Sequence, residues 1–95
     1  MIKRIVKMTF RVDATADFEE IFRMSSPLIR QFEGCRHLEL WRSTDDPRIY
    51  FTYSFWESPE ALDFYRQSDL FKQTWAKTKA LFDEAPDAWS VTQLA

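Results

Sequence analysis

Between Ile2 and Val12 the residues Ile2, Val6, Met8, Phe10 and Val12 share one parity, and Lys3, Lys7, Thr9 and Arg11 share the other. A period of two sends successive side chains to opposite faces of extended backbone, so the stretch predicts a strand with one buried side. Arg4 and Ile5 are the two exceptions. The period then changes: Phe18, Ile21, Phe22, Ser25, Leu28, Ile29 and Phe32 follow an i, i+3, i+4 spacing. This predicts an amphipathic helix with Thr15 as N-cap and Asp17, Glu19 and Glu20 facing the positive end of its dipole. It should end at Gly34, the only glycine, where a left-handed C-cap excludes a Cβ. Pro27 removes one ladder bond and predicts a kink between Arg23 and Pro27.

Cys35 to Arg42 and Arg48 to Glu57 read as two further strands, and the turn formers Ser43-Thr44-Asp45-Asp46-Pro47 between them predict a hairpin. Ser58-Pro59-Glu60 begins a helix carrying Leu62 and Tyr65, with serine accepting an orphan N–H and proline having none to lose. Ser68-Asp69 predicts a break and restart through Phe71, Trp75, Thr78 and Phe82, until Pro86 prevents continuation. Ala88 to Leu94 closes the chain as a fourth strand. The order βαββαβ matches the α+β fold called ferredoxin-like, an antiparallel sheet with helices on one face. On the third strand Ile49, Phe51, Tyr53 and Phe55 have one parity and Tyr50, Thr52, Ser54 and Trp56 the other, so rings project both ways. The uncovered sheet face would be apolar, and its simplest cover is the same face of a second copy, which predicts a homodimer.

Ninety-five residues, 17% of them aromatic, suit one domain, residues 1–95, with a modest core. A single Gly rules out glycine-rich nucleotide loops, and one Cys with one His leaves no disulfide and no zinc site of Cys and His alone. No metal and no cofactor is therefore expected. A net charge of −2 with interspersed signs argues against nucleic acid as partner. No run approaches the ~20 apolar residues of a membrane span, so no membrane partner is expected and a cytoplasmic location is the default.

The segment Phe32-Glu33-Gly34-Cys35 leading into Leu38-Glu39-Leu40, the turn Asp45-Asp46-Pro47, and Trp56-Glu57-Ser58-x-Glu60-Ala61 followed by Ser68-x-x-Phe71 resemble the antibiotic biosynthesis monooxygenase family over nearly the whole chain. The resemblance implies a dimeric α+β barrel with a cavity between sheet and helices in each protomer. It also implies oxidation of a small phenolic or quinol-like aromatic substrate by molecular oxygen, often without flavin or metal. A side branch degrades haem, and other members have no known activity. Such chemistry needs a dry aromatic pocket and a base or hydrogen-bond partner for the acidic proton. The chain departs from its relatives at three positions: Tyr65 stands where many carry a helical His, Thr52 where one oxygenating branch has Asn, and Trp75 in the slot of the haem-ligating His.

On these grounds the candidate catalytic residues are Tyr65, His37 and Thr52, and the candidate substrate-binding residues are Trp56, Trp75, Tyr53 and Phe71. Each has a plainer reading. Trp56 either walls the cavity or anchors a helix to the sheet. Tyr65 is a core residue with its hydroxyl at the rim or a partner for a substrate oxygen. Trp75 and Phe71, at i and i+4, form a core stripe or a lining, and Tyr53 packs on one sheet face with its hydroxyl near an edge. His37, placed by parity with Cys35, Glu39 and Trp41, is a general base or a surface or interface partner of Glu39. Cys35 reads as a small buried hydrophobe, and Glu39 as a buried base or one half of a salt bridge to Arg or Lys across the sheet. Two other functions stay open: a non-catalytic dimeric module for a small ligand or a protein, and haem binding, for which only His37 offers an imidazole.

Overall fold

The computed structural model describes residues 1–95 and contains, in chain order, β1 (Ile2–Phe10), α1 (Thr15–Arg30), β2 (Cys35–Arg42), β3 (Ile49–Trp56), α2 (Pro59–Arg66), α3 (Asp69–Lys79) and β4 (Phe82–Val91). The strands form one sheet in the order β2-β3-β1-β4, with every neighbouring pair antiparallel. This is the ferredoxin-like α+β arrangement that the alternation of periods predicts, with β3 central.

Several boundaries differ from the reading of the pattern. Val12 lies beyond β1 and is exposed. Ala14, not Thr15, is the N-cap of α1, and no side chain caps that end. The helix runs through Pro27 as one element and stops at Arg30, with Gln31 as C-cap. Proline sits in its last turn, where only one ladder bond is lost. Leu28, counted on the apolar stripe, is exposed, whereas Phe18, Ser25 and Ile29 are buried. Gly34 does have a positive φ of 87°, but it serves the turn into β2 rather than the helix end. A Cβ there would meet Ala61 Cβ at 2.6 Å, so the glycine lets this turn lie directly on α2.

The caps of the second half follow the sequence. Ser58 accepts a hydrogen bond from the Ala61 N–H with Pro59 in the first turn, and Ser68 accepts from the Phe71 N–H. Phe82, however, begins β4, and Pro86 lies inside that strand. Against β1 the register slips twice, between Lys7 and Thr9 and between Thr9 and Phe10. A proline is tolerated there because β4 is an outer strand with bulges, so its missing N–H need not break a ladder.

Even-numbered residues of β1 and β3 face the helices. Ile29, Leu38, Trp56, Leu62 and Tyr65 form one buried cluster, and Met8, Phe10, Phe18 and Tyr50 form a second. In the second, Phe10 stacks on Phe18 at 4.2 Å and meets Tyr50 edge-on at 5.6 Å. The opposite face carries cross-strand rows of which the central one runs Glu39, Tyr53, Ile5 and Trp89 and the next Trp41, Phe51, Lys7 and Asp87. Trp41 is 40% exposed and Trp89 47%, so no part of this chain covers that face.

Candidate functional site

Between the two core clusters the sheet and helices form a cavity of about 270 Å³, open on one side and lined by 21 residues, 13 of them hydrophobic. Trp56 comes to it because β3 ends there on the helix-facing parity, and Tyr65 because it stands on the buried stripe of α2, three residues after Leu62. Their rings stack at 4.7 Å. Phe71 meets Tyr65 edge-on at 5.2 Å and stacks with Trp75 at 5.9 Å, so the four rings form one continuous aromatic wall. Trp56 is both wall and anchor, because its buried ring stacks on Tyr65 of α2 while its indole N–H donates to Ser54 Oγ of its own strand at 3.0 Å.

Thr52, Trp56, Tyr65, Phe71 and Trp75 thus come together around one space. The Tyr65 hydroxyl makes no hydrogen bond within the chain, and since no fully enclosed polar atom lacks a partner, it is not sealed inside the core; Cys35 is close enough to act on it. Burial, reinforced by Cys35, pushes its phenol well above the ordinary range, so it is a proton donor and not a base.

His37 and Tyr53 do not join them. Both lie on the uncovered sheet face, where Tyr53 stacks on Trp41 at 4.7 Å and the His37 ring lies 4.8 Å from Phe55. There His37 Nε2 pairs with Glu39, which also accepts from the Trp41 indole at 2.9 Å. These two hydrogen bonds, Trp41's first, hold the Glu39 carboxyl below its usual range. The Arg or Lys partner expected for Glu39 is therefore replaced by His37 and Trp41, and the His–Glu surface pair is the reading that the geometry matches. Cys35 leaves this face altogether. A bulge at Arg36 sets Cys35 opposite Trp56 and His37 opposite Phe55, which turns the thiol toward the core, where burial raises its pKa. The chain's one imidazole is thus outside the cavity, and no group of three His, Cys, Asp or Glu side chains converges as a metal site. A haem in the cavity would find no imidazole from the same chain.

Two lining residues absent from the candidates are Arg4 and Arg66. Arg4 sits in mid-sheet with its side chain on the helix face, in a row with Ser54 and Ser90, and donates to Ser90 Oγ at 3.1 Å. Burial first, and then the neighbouring Arg66 cation, lower its pKa, with Asp63 opposing. The sequence signal was the break of parity at Arg4, an arginine where the alternation calls for an apolar residue. Arg66, at the last position of α2, gave no such signal.

Among curated proteins none matches the sequence. Solved structures match closely in shape. An antibiotic biosynthesis monooxygenase superposes with a TM-score of 0.93 at 18% identity, covering 100% of both chains. Rv0793 from Mycobacterium tuberculosis gives 0.90 at 21% identity over 99% of this chain and 95% of its own. A variant of SnoaB, a cofactor-independent oxygenase from Streptomyces nogalater, gives 0.86 at 18% identity over 97% and 91%. At such identities these likenesses establish the fold alone. The sequence profile described as Antibiotic biosynthesis monooxygenase matches residues 1–77, a span that holds β1 through most of α3 and nearly all of the cavity wall. With sheet order, cavity placement and sequence profile in agreement, the chain belongs to the antibiotic biosynthesis monooxygenase family.

Proposed function

We propose that the 95 residues act as one domain, a small oxygenase that oxidises a planar phenolic or quinol-like aromatic with molecular oxygen and works as a two-fold dimer. The observation that carries this reading is the wall of Trp56, Tyr65, Phe71 and Trp75 around a cavity of about 270 Å³, together with a Tyr65 hydroxyl that has no hydrogen-bond partner in the chain. Rings bind rings by area and by offset or edge-on contact, and an apolar enclosure keeps water from a reactive carbanion. In the reaction a phenol reacts through its keto tautomer. The ring CH2 becomes C=O, one oxygen atom of O2 enters the product, and the other leaves as water with the two hydrogens. The ionised substrate supplies the electrons itself. Tyr65, held protonated, donates a hydrogen bond to the substrate oxygen, and Thr52 lies along the same wall.

Oxygen uptake with a panel of naphthols and quinols tests the reading. Uptake that is insensitive to chelators and falls about tenfold or more in Tyr65→Phe, with the fold retained, is expected for loss of a donor used in the transition state. No uptake across the panel overturns it. A second reading, binding without turnover, is favoured by one observation: no carboxylate and no imidazole lines the cavity to act as base.

A further inference from the structure

The oxygenase reading makes no use of the two guanidinium groups in the cavity wall. Arg4 projects from a central strand to the helix side of the sheet, where it is half-buried and borders the cavity. Of its five N–H donors only one finds an acceptor in the chain, the Ser90 hydroxyl. Arg66 makes no hydrogen bond and no ion pair, and neither arginine is among the ion pairs of the molecule. The two cations are close enough for Arg66 to disfavour the charge on Arg4, and the one carboxylate that Arg4 senses, Asp63, pairs with neither. Placement at the C-terminal end of α2 accounts for Arg66 through the helix dipole. It does not account for Arg4. Arg66 is exposed and Arg4 half-buried, so water reaches their spare donors; yet both border one apolar cavity with no carboxylate paired to either, which gives the cavity a positive end that favours an anion.

We propose that Arg4 and Arg66 form an oxyanion site, and that the cavity takes its planar aromatic ligand as an anion, a carboxylate or an ionised ring hydroxyl, held between the two guanidinium groups. This rests on the functional reading above and deepens it. The ionisable side chains of the wall are Arg4, Arg66 and Tyr65, so nothing there removes a proton at neutral pH. A ring hydroxyl that arrives ionised, or is ionised because two cations favour its anion, needs no base, and a carboxylate would be held by the same cations. Planar guanidinium groups suit the paired oxygens of a carboxylate and the in-plane lone pairs of a phenolate, which Lys would meet only as a point charge.

The test measures binding by quenching of tryptophan fluorescence in the full chain, with 2-naphthoate and its neutral isostere 2-naphthamide. About tenfold or greater preference for the acid is expected, equivalent to about 1.4 kcal/mol. Arg66→Gln and Arg4→Gln should each abolish most of that preference while the amide still binds, and the retained amide binding reports an intact fold. Arg66→Lys should keep part of it. Equal binding of acid and amide, or a preference that survives both glutamine variants, overturns the proposal. 4-Nitrophenol, coloured only as its anion, separates the two oxyanions. Protein-bound dye that ionises at lower pH than free dye supports the site with phenolate as ligand; naphthoate preference without that shift supports it with carboxylate. An arginine-dependent preference without oxygen uptake would leave this site standing and remove the oxygenase reading; uptake without any preference would do the reverse.

Discussion

Tyr65 shows how much one side chain is asked to do. Its ring stacks on Trp56 and meets Phe32 and Phe71 edge-on, each at 5.2 Å, while its hydroxyl has no partner in the chain. Because burial raises its pKa in the folded state, its contribution to stability is complete below the ordinary phenol range and is lost as pH rises through and beyond it, above about pH 10. Tyrosinate absorbance from Tyr65 is therefore expected to appear only together with loss of the folded circular dichroism signal. In Tyr65→Phe the alkaline unfolding should move to higher pH; tyrosinate formation from Tyr65 with the dichroism intact would contradict this. Tyr65 and Trp56 were readable from sequence because period and strand end both sent them inward. Cys35 was assigned to the face of His37, Glu39 and Trp41 and lies on the other for a definite reason: the extra residue Arg36 flips the alternation, and no residue type at that point announces a bulge. Arg4 was visible only as an irregularity, since an arginine out of phase is equally a frayed strand or a functional cation until the helices are in place.

Elements meet at places where a single atom decides the spacing. The turn between α1 and β2 rests on α2 through Gly34, and the Gly34 carbonyl accepts from the Glu57 N–H at 2.9 Å, just before the Ser58 cap. In Gly34→Ala the left-handed conformation costs about 1–2 kcal/mol, and the contact with Ala61 adds to it. The expected result is a denaturation midpoint lowered by the equivalent of at least ~2 kcal/mol with an unchanged slope. Ala61→Gly in the same chain should restore the part due to the contact and leave the part due to φ, so a double-mutant cycle separates them. Full additivity would show that the turn moves aside. The sequence placed this glycine correctly and misjudged its work. A left-handed residue after a helix suits a C-cap equally well, and only the approach of α2, from 27 residues further along, distinguishes the two.

For the whole molecule the dominant feature is the sheet face without helices. Ile5 lies at its middle, between Tyr53 and Trp89, and Lys3 sits over the Phe55 ring at 4.6 Å toward one end. If that face meets its own copy, sedimentation at micromolar concentration should give a dimer, and Ile5→Lys, which sets two like charges near a two-fold axis, should give monomers that remain folded. A monomeric wild type would end the dimer reading and leave the cavity untouched. Topology and sheet order were legible because the period changes four times with turn formers at most of the junctions. The course of β4 was not, since Pro86 imitates a stop signal within an outer strand. That strand has a further consequence. Both borders of the sheet are irregular, β2 at Arg36 and β4 at two slips and a proline. A foreign strand arriving at either margin finds the straight run of main-chain donors and acceptors cut short at one end, residues 37–42 on β2 and 87–91 on β4, which disfavours growth sideways into ribbons or fibrils relative to broadside contact that closes after two copies.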